Sequence, residues 1–185
     1  DVKYGIWVNL IAKHFRMKQI KFLDIGIGVD VPKPLALSSI ALRVMYFPSD
    51  HETYERACQV RSLGGVFHVE LLQLPQAPKR VKGWTLRQVN DLTKTVQRLS
   101  YPLGSDGHAV AAAAVTTAQP VKVHYHVPND VLVPESNLRV GWWDKANETW
   151  NEEGITEIDY NFESRTIVFH TTKLCHLACI QEKHA

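Results

Sequence analysis

Cysteine is scarce, with Cys58, Cys175 and Cys179 the only three in 185 residues. An odd count leaves any disulfide framework incomplete, and three thiols fall short of a tetrahedral zinc shell. A chain of this length buries about 70% of its unfolded surface without such staples. A reducing compartment, the cytoplasm, suits it best. Long apolar runs are missing too: no stretch approaches the roughly 18 residues of a membrane span, and Asp1-Val2-Lys3-Tyr4 has no signal-peptide layout. No membrane partner is expected. The chain opens without Met, so a longer protein is expected around it. Nor is there an excess of one charge, since 21 Lys and Arg stand against 19 Asp and Glu. That balance excludes the strongly basic footprint of a dedicated nucleic-acid binder, and any anionic partner must be met by a local patch.

Catalytic motifs are equally sparse. Gly26-Ile27-Gly28 lacks the third glycine and following helix of a dinucleotide loop, and no Walker sequence occurs. Ser38, Ser39, Ser62 and Ser100 lie outside any Gly-x-Ser-x-Gly elbow. His124 and His126, two apart on one strand, point to one face, but no Asp, Glu or Cys joins them at ligand spacing. Two solvent-facing imidazoles are the plainer reading. Cys175 and Cys179 flank His176 without completing a ligand shell, which suits small buried thiols. No enzyme activity, cofactor, metal or small-molecule substrate is therefore expected. Asn147-Glu148-Thr149 fits a glycosylation acceptor, which counts only in a secreted chain.

What is abundant is alternation. Tyr4, Ile6, Val8 and Leu10 alternate with Gly5, Trp7 and Asn9, and Ile40, Leu42, Val44 and Tyr46 alternate with Arg43 on the opposite face. Both patterns predict half-solvated strands. Ile20 and Phe22 repeat the pattern, and Ile25 to Val29 reads as an extended run stopped by Pro32 and Pro34. Further strands are predicted after Gly64-Gly65, over 66–74, and at 121–127, 138–143, 155–160, 165–171 and 174–181. Leu86, Val89, Leu92, Val96 and Leu99 recur at helical spacing, predicting a helix near 85–99, with a strand from Trp84 to Val89 as the competing reading. Residues 104–119, rich in Ala, Thr and Ser, read as a flexible loop. The expected fold is strand-rich α+β, an antiparallel β-sandwich with one or few helices. Its N-terminal lobe spans 1–103, the loop 104–119, and the C-terminal strands 120–185.

Two segments concentrate positive charge: Lys13, Arg16, Lys18 and Lys21, and then Lys79, Arg80 and Lys82, with Arg87, Lys94 and Arg98 beyond. Either suits an acidic partner surface, against the plainer reading of a solvated loop and helix face.

Two resemblances follow. Trp142-Trp143-Asp144, Trp150, Glu153-Gly154 and His176-Leu177 resemble, in order and spacing, the proteolysis-site segment that closes the GAIN domain of adhesion receptors. That resemblance implies a GAIN-like sandwich packed by these tryptophans and Gly154. In that family the His activates a Thr or Ser hydroxyl, and here Ala178 occupies its place, so the site is degenerate. Val140, Ile155, Thr172 and Leu174 stand near the positions of the family's paired cysteines.

The second resemblance covers most of the chain. Lys3 to Leu10, Pro32 to Leu37, Gly64 to Pro75 and Val81-Lys82-Gly83-Trp84 are similar to the C-terminal part of axonemal dynein intermediate chains of the cancer susceptibility candidate 1 family, the algal inner-arm type. Trp143-Asp144, Trp150 and Gly154-Ile155 continue the match. It implies a non-enzymatic structural and interaction domain of a ciliary inner-arm dynein. Its neighbours would be dynein heavy and intermediate chains and doublet-microtubule tubulin, in the cytoplasm and the axoneme of cilium or flagellum. Tubulin's acidic tails would then meet the basic segments, while Trp7, Trp84, Trp142, Trp143 and Trp150 would pack the fold. The competing reading is an extracellular GAIN-type adhesion-receptor domain, autoproteolytic or cleavage-dead.

Overall fold

In β4, Ile40–Phe47, side chains alternate about the strand, and Leu42, Val44 and Tyr46 go inward while Arg43 and Met45 are half-buried on the other side. The same period of two organises most of the computed structural model, which describes residues 1–9, 18–36, 38–50, 59–74, 79–86, 97–102, 119–134 and 137–182. The other strands are β1 (Lys3–Asn9), β2 (Lys18–Phe22), β3 (Ile27–Val31), β5 (Val60–Gln73), β6 (Lys79–Val81), β7 (Trp84–Leu86), β8 (Arg98–Leu99), β9 (Val121–His126), β10 (Arg139–Asp144), β11 (Thr149–Asn151), β12 (Ile155–Asn161), β13 (Thr166–Thr171) and β14 (His176–Glu182).

The first sheet runs β1-β4-β5-β14-β10-β11, with β8 also on β5; the second runs β12-β13-β9-β3-β2. All their pairings are antiparallel. Strands from before and after residues 104–119 enter both sheets. The inner sides share one core, with Leu42, Val44, Phe67, Val69 and Leu177 from the first sheet and Val29, Val123, Tyr125, Ile167 and Phe169 from the second. Phe67 bridges the layers, its ring 5.1 Å from that of Tyr125 and 6.3 Å from that of Phe169. Fully burying each such aromatic contributes about 1.5–3 kcal/mol.

The outer side of the first sheet carries a smaller buried cluster of Val66, Ala178 and Ile180, with Val60 and Trp150 against it. Between the clusters β5 and β14 fall out of step: Leu177 faces Phe67, but Cys179 faces Leu63. The extra residues on β5 are Gly64 and Gly65, at φ +75° and +92°. A Cβ at Gly65 would lie 2.5 Å from the Phe47 carbonyl oxygen, so only glycine fits. The hydroxyls of Tyr46 and Tyr125 both donate to the Gly64 carbonyl, tying the bulge to the second sheet.

Two expectations are corrected, and a third is described only at its ends. The helical part of α+β shrinks to α1, Lys33–Ala36, the one helix among the described residues, so the fold is β-rich. At 85–99, the ends are strands: Lys82 and Gly83, at φ +47° and +85°, make the tight turn that pairs Trp84–Leu86 with Lys79–Val81, and Arg98–Leu99 pairs with β5. Residues 87–96 lie outside the described residues, as do 104–118 of the expected loop. Finally, Ile25 to Val29 is not one extended run. Gly26, at φ +74°, closes a turn in which its N–H and that of Ile25 donate to the Phe22 carbonyl, and β3 begins at Ile27.

Candidate functional site

The residues aligned with a proteolysis site sit inside a regular strand. Leu177 and Ala178 pair with Trp142 and Gly141 across β10–β14, and neither is exposed. Ala178 lies among Val66 and Ile180, an apolar pocket. His176 stacks on His68, with ring centroids 4.1 Å apart and planes 13° from parallel, rather than approaching position 178 as a base would. Burial pushes the Cys175 thiol up to about 11 and the Cys179 thiol up to about 12.

The densest polar cluster lies beside that stack, on the outer side of the first sheet. Register places Arg43 opposite Glu70 and Leu72 opposite Arg98. The Glu70 carboxylate, 4% exposed, pairs with the Arg43 guanidinium, and Arg98 Nε lies 3.0 Å from Oε2. His68 Nε2 stands 4.0 Å from the same oxygen. Burial, and then His176, hold the His68 imidazole down at about 4, with Arg98 and Arg43 adding to the depression and Glu70 opposing it. At neutral pH His68 is uncharged, and Arg43 and Arg98 meet at the Glu70 carboxylate. Among the described residues its partners stand on strands of the first sheet, so the cluster ties β4, β5 and β8 together. Sequence reading placed Arg43 on a solvated face and passed over Glu70. The available signal was an acid inside the apolar run Val66 to Leu74.

The second sheet carries a groove of about 450 Å³ on its outer side, lined by Gln19, Lys21, Leu23, Gly28, His124 and His126 among others. Here the two histidines do share a face, but they diverge in their partners. His124 Nε2 lies 3.0 Å from Asp30 Oδ2, whereas His126 Nδ1 lies 2.9 Å from the Ser164 carbonyl. No group of three or more His, Cys, Asp or Glu is placed to hold a metal among the described residues.

The basic segments fall on different elements. Lys13 and Arg16 lie outside the described residues, Lys18 opens β2, and Lys21 is exposed at the groove. Lys79 belongs to β6, while Arg80 and Lys82 are exposed on the β6–β7 hairpin, which pairs with neither main sheet. Trp84, expected to pack the fold, is instead 76% exposed on that hairpin, a two-stranded ribbon that no second layer covers among the described residues. Trp7 packs against the main core from β1. The adjacent tryptophans of β10 face opposite sides: Trp142 packs on the main core and its Nε1–H donates to the Glu153 carbonyl at 2.9 Å, while Trp143 meets Trp150 edge-on at 5.4 Å. Gly154, at φ +81°, turns the chain into β12, and a Cβ there would meet the Thr172 hydroxyl at 2.9 Å.

Fold and core together define a two-layer antiparallel β domain among the described residues. No family model matches the chain. In sequence it is similar to dynein axonemal intermediate chain 7 of Bos taurus, 31% identical over 139 residues that make up 75% of this chain and 18% of the relative. The Mus musculus protein of that name is 31% identical over 142 residues, 76% of this chain and 19% of the relative. The Ciona intestinalis homolog is 28% identical over 145 residues, 68% and 19%. This similarity supports kinship with the dynein axonemal intermediate chains. The chain spans about a fifth of the length of these relatives.

Proposed function

We propose that this chain is an interaction domain of an axonemal dynein intermediate chain, of the inner-arm type, acting without catalysis in the cilium or flagellum. The observation that carries the reading is the similarity of about three quarters of the chain to dynein axonemal intermediate chain 7 of two mammals. Its neighbours in this reading are dynein heavy and intermediate chains and the tubulin of the doublet microtubule. The buried, inward-paired chemistry of the Glu70 cluster and the tight packing at Ala178 favour a scaffold over an enzyme or a self-cleaving receptor domain. The C-terminal strands β9 to β14 complete, in the same reading, a GAIN-like sandwich whose cleavage site lacks its nucleophile.

Tubulin contact runs through the exposed cations Lys21, Arg80 and Lys82, together with Lys13, Arg16, Lys18 and Lys79. With a net charge of only +2 the attraction is local, screened beyond about 8 Å at physiological salt, and effective chiefly alongside other microtubule-bound subunits. Co-sedimentation of the chain with microtubules tests this. Charge reversal at Lys18 and Lys21, or at Lys79, Arg80 and Lys82, should reduce binding, as should added salt or removal of the tubulin tails. Binding that ignores all of these sinks the tubulin contact and leaves dynein chains as the direct partners.

A further inference from the structure

By the strand orders given above, the terminal strands are β1 and β11 of the first sheet and β2 and β12 of the second. Three of these edges are blunted. β11 has only three residues. β12 slips register between Thr156 and Asp159, carries Glu157 at φ +53°, and adds the charge of Asp159. β2 has Lys18 and Lys21. Bulges, short lengths and lysines are the usual protections of an edge against pairing. Among the described residues β1 has no bulge, and its one lysine, Lys3, stands at the end of the strand. Its seven residues pair with β4 without a shift from Lys3 opposite Tyr46 to Asn9 opposite Ile40. Tyr4, Ile6 and Val8, on its outer side, are 73%, 52% and 48% exposed. Its single cation, Lys3, donates to the Asp24 carbonyl at 3.1 Å.

We propose that β1 pairs antiparallel with β1 of a second copy of this chain, across a two-fold axis through Ile6, so that two first sheets join into one. The sequence of the strand is self-complementary in that register. Tyr4 faces Val8 of the second copy, an aromatic against a β-branched side chain, Ile6 meets its own copy on the axis, and no like charges face each other. The stripe also continues an apolar layer already present, since Val8 lies beside Ala41 and Ala41 beside Leu72, both of which are buried on the outer side. One strand buries well under the roughly 800 Å² per partner of a stable complex, so the pair is weak and forms in the micromolar range.

Sedimentation equilibrium of the whole chain from about 1 to 100 µM tests it. The wild type should pass from monomer to dimer, and Ile6→Lys should weaken that association at least about tenfold, while Leu132→Lys, at a 90% exposed position after β9, leaves it unchanged. Facing residues at such an axis lie about 4.5–5.5 Å apart at Cα, within disulfide range, so Ile6→Cys should cross-link under mild oxidation and Leu132→Cys should not. This second variant needs no loss of stability to be read. A wild type that stays monomeric across the range, a dimer that survives Ile6→Lys, or equal cross-linking at the two positions overturns the proposal.

Discussion

His68 on β5 and His176 on β14 stack face to face at 4.1 Å, two imidazoles from paired strands held beside a buried carboxylate. Burial and His176 set the His68 pKa at about 4, below its unfolded value near 6.5. The unfolded chain therefore binds the proton first as pH falls. This contribution to stability is complete above about pH 6.5 and declines toward pH 4, by an amount on the order of 1–3 kcal/mol. Thermal melts between pH 7.5 and 4.5 should show the midpoint falling. His68→Gln should flatten that fall, and an unchanged slope would remove His68 from the account.

Arg43 and Glu70 face each other across β4 and β5 with the carboxylate almost wholly buried. Glu70→Ala strands Arg43 and should cost about 3–5 kcal/mol. The double variant with Arg43→Met should recover part of that loss, giving a coupling of about 1–3 kcal/mol in urea melts. Additive effects would mean that Arg98 or water takes over the pairing.

Gly65 and Gly83 both have positive φ but differ in their surroundings. A Cβ at Gly65 meets the Phe47 carbonyl, whereas one at Gly83 meets nothing within 4 Å. Gly65→Ala should cost about 2–4 kcal/mol and Gly83→Ala about 1 kcal/mol. Equal losses in denaturant melts would contradict the bulge geometry.

Ala178→Thr restores a hydroxyl at the degenerate position, but the peptide before it lies in a paired strand and the imidazole of His176 is stacked elsewhere. The chain should stay intact by mass spectrometry after days at neutral pH. Crowding against Val66 and Ile180 should lower its stability by about 1–3 kcal/mol. A product ending at Leu177 would show that the site retains its chemistry.

The alternating strands were legible because one face of each is plainly apolar, as at Ile40 to Tyr46 and at Val121, Val123 and Tyr125. The β5 bulge was not: Gly64-Gly65 looks like the stop before a strand, yet the strand runs through it from Val60, since glycine is what a positive-φ bulge requires. Trp84 shows the opposite limit, an aromatic that sequence reasoning assigns to packing and that the hairpin leaves in solvent. The Glu70 cluster was hidden because alternation marks its face as polar. Only the three-dimensional register brings Arg43 and Arg98 to the same carboxylate and buries it.

The central claim, membership of an axonemal dynein, is tested most directly by where the endogenous protein goes. Isolated axonemes should be extracted with high salt and the extract resolved on a sucrose gradient, with the protein followed by a tag. It should leave the axoneme in the salt extract and sediment with inner-arm dynein heavy chains. Recovery in the detergent-soluble membrane and matrix fraction, or sedimentation apart from every dynein heavy chain, would contradict the account.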